Sequence, residues 1–145
     1  MGNPFVHMEL STGDVAAAKK FYKKVFDWKL NELGPEMGNY TLINTGSKNV
    51  GGGMTAKMMP AQPTAWCVYA EVASVKKTIA KAEKAGAKAV LPYQEIPDMG
   101  AIGVFIDPTG AQFGVWEKAK KSAKKSAKKS AKKSAKKSAK KSAKK

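Results

Sequence analysis

His7 and Glu9 are the residues whose types and spacing most directly suggest chemistry. They stand two apart in FVHMEL, where Val6, Met8 and Leu10 alternate with Phe5, His7 and Glu9. On a strand that spacing turns both side chains to one face, so an imidazole and a carboxylate could share a metal ion, with Cys67 and water completing its shell. The bland alternative is a pocket or core histidine hydrogen-bonded to Glu9. The chain has one His and one Cys, so no second imidazole is at hand to activate a thiolate, and a lone cysteine more often packs as a small buried apolar group. Arg is absent from the sequence, which removes planar bidentate clamping of phosphate or carboxylate and leaves Lys as a point charge.

The elements that must position these residues follow from patterning. Ile102, Val104 and Ile106 alternate before Asp107-Pro108-Thr109-Gly110, and Phe113, Val115 and Trp116 follow. Two β-rich runs around an Asp-Pro-x-Gly turn predict a hairpin. Upstream, Phe5–Leu10 predicts a strand, and Asp14 a helix cap. Val15, Ala18, Phe21, Tyr22, Val25 and Phe26 then keep helical spacing to about Asp27. Trp28–Leu33, Tyr40–Asn44 and Val50–Met54 predict three strands, the last holding Gly51, Gly52 and Gly53. Glycine inside a strand marks either close approach of another group or a bulge. After a linker from Lys57 to Thr64 with two prolines, the order repeats. Trp66–Val72 is a strand, Ser74 caps a helix that ends at Gly86, Ala89–Pro92 is a short strand, and the hairpin closes the set. Tyr93–Gly100 is expected as a loop over the mouth of the site. Asp14 and Ser74 stand 60 apart, as do His7 and Cys67, and each half reads strand–helix–strand–strand–strand. One half is too small to bury both sheet faces, so the halves should pair into one domain.

Charge is distributed unevenly. Residues 1–117 carry 12 Lys and 11 acids, a net of +1, whereas residues 118–145 carry 15 Lys and no acid, a net of +15; together they make the +16 of the whole chain. From Ala119 the sequence is Ala-Lys-Lys-Ser repeated six times. Lys opposes Lys at every i,i+4 and nothing larger than Ala can pack, so a disordered tail is expected. Such a tail should bind DNA, RNA or polyphosphate without sequence preference, by counterion release, through Lys120, Lys121, Lys124, Lys125, Lys128, Lys129, Lys132 and Lys133. The other reading is a solvated or engineered extension. The N-terminus has no basic region followed by an apolar stretch, Val6 stands where myristoylation wants Ser or Thr, and no apolar run approaches the ~20 residues of a membrane span. A single cysteine allows no intrachain disulfide. A cytoplasmic location is the expectation, nucleoid-associated if the tail binds DNA.

The βαβββ order twice over, the entry FVHMELSTGDVAAAKKFYKKVFDW and the exit GAIGVFIDPTGAQFGVWE resemble the vicinal oxygen chelate superfamily: glyoxalase I, extradiol dioxygenases and bleomycin-resistance proteins. The chain is most similar to its glyoxalase-like, lactoylglutathione-lyase-related group, over residues 4–117, and its tail resembles those of histone H1-like proteins. The resemblance implies an α+β fold in which two βαβββ modules, about 4–57 and 64–117, pair into one domain (residues 1–117), followed by the tail at 118–145. It implies a homodimer and a divalent metal (Ni, Zn, Mn or Fe) held by four side chains in a cup. His7 falls at the first ligand position, Gly52 or a neighbour at the second, Cys67 or Trp66 at the third and Gly114 at the fourth, so three of the four lack the usual residues. By alternation the cup should be lined by Phe5, His7, Glu9, Gly52, Met54, Cys67, Tyr69, Gln112, Gly114 and Trp116. Aromatic and Met walls with a few polar groups suit a small, partly apolar organic ligand. The expected function is therefore ligand binding with a degenerate metal site, plus polyanion binding by the tail. One alternative is a metal-dependent lyase or dioxygenase-type enzyme using His7 and Glu9, and another is a nucleic-acid-associated accessory protein.

Overall fold

Local signals place the element boundaries. The Asp14 carboxylate accepts the Ala17 amide proton at 2.9 Å and Ser74 Oγ accepts that of Lys77 at 3.4 Å, so each helix starts where its cap predicts. Gly86, with φ +98°, ends the second helix in the left-handed conformation that favours glycine. In the hairpin turn one oxygen of Asp107 accepts from the backbone of Thr109 (2.7 Å) and Ala111 (3.1 Å) and from the Thr109 hydroxyl (2.6 Å).

The computed structural model describes residues 2–120. In chain order the elements are β1 (Phe5–Thr12), α1 (Val15–Val25), β2 (Lys29–Glu32), β3 (Thr41–Asn44) and β4 (Gly51–Ala56). Then come β5 (Ala65–Glu71), α2 (Val75–Lys84), β6 (Lys88–Ile96), β7 (Gly100–Ile106) and β8 (Gln112–Lys118). The fold is α+β, with both helices set against one eight-stranded sheet of order β2-β3-β4-β1-β5-β8-β7-β6. In each half the first strand lies parallel to the last, β1 with β4 and β5 with β8. The halves join where β1 runs antiparallel to β5, with Met8 opposite Val68. Those two residues are also separated by the 60-residue offset of the repeat, so an approximate two-fold axis passes between them.

Both helices cover one face of the sheet. Under α1, Leu10, Ile43 and Met54 form a buried cluster flanked by Val15, Ala18 and Tyr22; under α2, Val72, Val75, Ile79, Ala101 and Val115 form another. Strand β6 runs to Ile96, longer than the four residues expected, and Gln94–Ile96 pairs with β7 instead of forming a loop over the site. Pro92 hid this continuation. It falls where the β6–β7 register slips, between Leu91 and Gln94, and there the missing proline N–H breaks no ladder bond.

Candidate functional site

The sheet face turned away from the helices gathers His7 and Glu9 from β1 with Cys67 and Tyr69 from β5. The cross-strand register sets His7 opposite Tyr69 and Glu9 opposite Cys67. From β4, Gly51 and Gly53 stand beside His7 and Glu9, and from β8, Gly114 stands beside Tyr69. Gln112 and Trp116 share the face of Gly114 by alternation, and Trp116 lies opposite Ile102. Cys67, Tyr69 and Val104 form a buried cluster with Leu91 and Ile102 against it, an apolar wall supplied mostly by the second module.

Three expected lining residues fall elsewhere. Met54, fully buried, packs with Leu10 and Ile43 under α1, and a Cβ on Gly52 would meet the Ile43 side chain at 3.2 Å, so both face the helix. The β4 alternation is therefore one residue out of step with the expectation, because its cup-facing positions are Gly51 and Gly53. Phe5 is turned over by a β-bulge between it and His7; it pairs with Ala70 and leaves its ring 6.3 Å from that of Phe113.

The glycines do not leave a void. A Cβ on Gly53 would collide with the hydroxyl and ring of Tyr40, one on Gly114 with the ring of Tyr69, and one on Gly51 would lie 3.1 Å from His7 Nδ1. Two tyrosines thus lie across the positions from which the second and fourth metal ligands would project. Tyr40 escaped the sequence reading of the site. It ends the β2–β3 connection, where Gly38 and Asn39 both take positive φ and reverse the chain. Because β3 runs antiparallel to β4, an aromatic at its start lands over that strand's glycines, and the glycine run itself was the signal that could have found it.

These side chains form one hydrogen-bonded network. The Tyr40 hydroxyl donates to Glu9 Oε2 at 2.8 Å and Tyr69 donates to Glu9 Oε1 at 3.2 Å. His7 Nε2 lies 2.7 Å from the Tyr40 oxygen. While Glu9 is ionised Tyr40 spends its one proton on it, so His7 donates from Nε2 and Nδ1 is left as an acceptor. Burial pushes the Glu9 carboxyl up, with the two tyrosine hydrogen bonds opposing, and burial pushes the His7 imidazole down. Burial, reinforced by the charge of Glu9, raises both phenols well above their ordinary range, so each keeps its proton. Burial also raises the Cys67 thiol, which disfavours the nucleophilic thiolate. The arrangement can present a half-buried carboxylate and a neutral imidazole to the polar end of an organic molecule.

The residues present do not fit the metal that the resemblance implies. Among the described residues no three His, Cys, Asp or Glu side chains come close enough to hold one. The His7 Nε2 and both Glu9 oxygens are bound to tyrosine hydroxyls, and Cys67 sits in the apolar cluster. Of the lysines expected to contact polyanions, Lys120 is exposed at the end of the described chain. Lys121, Lys124, Lys125, Lys128, Lys129, Lys132 and Lys133 lie outside the described residues. Among the described residues no helix is long and apolar enough to cross a membrane.

This is the fold of the glyoxalase/bleomycin resistance protein/dioxygenase superfamily: a solved member from Vibrio splendidus superposes with TM-score 0.54 at 13% identity, over 81% of this chain and 100% of that one. Residues 4–46 match the family described as bleomycin resistance protein-like N-terminal. Among curated proteins, the chain is 31% identical over 117 residues to the "Putative glyoxylase CFP32" of Mycobacterium tuberculosis, covering 76% of this chain and 44% of that one. It is 29% identical over 127 residues to the anthracycline biosynthesis protein DnrV of Streptomyces peucetius, covering 76% and 45%. The chain therefore spans less than half the length of these curated relatives. The likeness to solved structures is one of fold.

Proposed function

We propose that this protein is a small-molecule-binding domain of the vicinal oxygen chelate superfamily that works without a resident metal, holding a small, partly apolar organic ligand against the Glu9–Tyr40–His7 network. The observation that carries the reading is the substitution of tyrosine over glycine. Tyr40 and Tyr69 occupy the ground of two ligands, and each donates a hydrogen bond to the carboxylate that would have been another. The polar network and the apolar wall of Leu91, Ile102 and Val104 match a ligand with one hydrogen-bonding end and one apolar end. Relatives named "Putative glyoxylase CFP32" and "Anthracycline biosynthesis protein DnrV" support an organic small molecule as the ligand. As a second part of the proposal, residues 118–145, with 15 Lys, bind polyanions through charge alone, with an affinity that falls steeply with salt.

Metal content of the full chain purified without chelator, with His7→Ala beside it, tests the first part. Both proteins are expected to hold far less than one equivalent of Ni, Zn, Mn or Fe. About one equivalent in the parent, lost in the variant, would overturn the reading and restore the metal-dependent lyase. For the second part, binding of polyphosphate should vanish on truncation after Glu117; retained binding would place the polyanion site on the folded domain.

A further inference from the structure

The polar network of the cup has acceptors to spare and no proton left to give. Tyr40 and Tyr69 each donate their one hydroxyl proton to Glu9, at 2.8 and 3.2 Å. His7 spends its Nε2 proton on the Tyr40 oxygen at 2.7 Å. What remains is unused lone-pair capacity on both Glu9 oxygens, and the Nδ1 of His7. That nitrogen lies 3.1 Å from where a Cβ on Gly51 would stand, and Gly51 is exposed with no side chain to cover it. A molecule entering the cup must therefore bring the hydrogen-bond donors itself.

Charge narrows the choice of donor. The Glu9 carboxylate is half-buried, yet no lysine pairs with it: the one ion pair among the described residues joins Lys19 to Glu32. The imidazole does not neutralise it either, because burial pushes His7 below its ordinary value. A carboxylate partly withdrawn from water without a cation is unfavourable, and an opposite charge brought by a ligand offsets that cost. An ammonium group meets both demands, since it carries a positive charge and N–H donors together. Behind it, Tyr69, Leu91, Ile102 and Val104 offer apolar surface to a carbon frame.

Granted that the cup is the ligand site proposed above, we infer that it selects a protonated amine on a small apolar frame and turns away carboxylates and phosphates. The ammonium group donates to the free lone pairs of Glu9, and His7 Nδ1 accepts a further donor of the ligand. The frame lies along the wall that the second module supplies.

The test titrates benzylamine, benzyl alcohol and benzoate, which share one frame, into the ¹⁵N-labelled full chain at neutral pH and constant ionic strength. Benzylamine is expected to give saturable amide shifts at His7, Glu9, Gly51, Gly53 and Tyr69. Benzyl alcohol should bind there about tenfold more weakly, and benzoate should leave those amides unmoved although the lysines beyond Glu117 attract it. Glu9→Gln keeps the shape and removes the charge, so it should weaken benzylamine about tenfold and change benzyl alcohol little. Benzyl alcohol or benzoate moving the same amides as tightly as benzylamine, as a neutral Glu9 would allow, would overturn the choice of ammonium and leave the cup a ligand site. Undiminished binding of benzylamine by Glu9→Gln would overturn it as well. Cup amides unmoved by all three probes would remove both the choice of ammonium and the function proposed for the cup.

Discussion

The two modules share a chain path and differ in what they do with it. In the second, α2 buries Val75 and Ile79 directly against the sheet, and a Cβ on Gly103 would come within 2.8 Å of Val75. In the first, α1 buries no residue fully. Its Tyr22 and Phe26 stack with Trp28 at centroid distances of 5.5 and 4.5 Å, and Phe21 stays 59% exposed. At the cup the contrast runs the other way. Equivalent positions hold His7 and Glu9 in the first module but Cys67 and Tyr69 in the second, so one supplies charge and the other supplies wall. The fold asks only that each module cover its half of the sheet, and the chemistry of the site comes from letting the halves diverge.

The sharpest way to break the comparison is to truncate one large apolar side chain on each helix. Ile79→Ala should lower stability in urea unfolding by about 3 kcal/mol, whereas Phe21→Ala should change it by less than about 1 kcal/mol. Equal losses would mean that α1 anchors as firmly as α2. Next come the glycines. Gly114→Ala should destabilise by about 2 kcal/mol through the Tyr69 ring, and most of that penalty should disappear when the same change is made in a Tyr69→Ala background. Penalties that simply add would show that the ring is not what excludes a side chain.

Tyr40→Phe should cost about 1 kcal/mol, since it removes the hydroxyl that joins His7 to Glu9. It should also shift the His7 titration followed by NMR, and an unchanged His7 curve would refute the bridge. The smallest effect concerns pH. The folded His7 value is lowered from 6.5, so its contribution is complete above 6.5 and lost as pH falls through the folded value. Glu9 is raised from 4.5, so its contribution is complete below 4.5 and lost as pH rises through its folded value. Thermal melts at pH 7 and 5.5 should show wild type losing less than about 1 kcal/mol that His7→Gln does not lose.

Much of this architecture was legible in the sequence because caps and alternation act locally. Asp14, Ser74, Gly86 and the Asp107 turn each fix a boundary within a few residues of themselves. The cup was legible only where alternation ran unbroken, as through His7–Glu9 and Cys67–Tyr69. A bulge before His7 turned Phe5 over, and three consecutive glycines offered no side-chain pattern from which to set the phase of β4, so Gly52 and Met54 were assigned to the wrong face. Periodicity puts Tyr40 at the start of a strand but not in the site, since a turn delivers its ring and its partners lie 31 and 33 residues away.

The sheet does not close, so β2 and β6 remain as its two outer strands. Bare edges of this kind invite other chains to add strands of their own, which is the first step toward aggregation. The edge at β2 is only four residues long and carries exposed Lys29 and Glu32. That at β6 is broken twice in register, contains Pro92 and carries exposed Lys88 and Glu95. The irregularity that hid the second half of β6 from the sequence thus also makes that edge a poor template for strand addition.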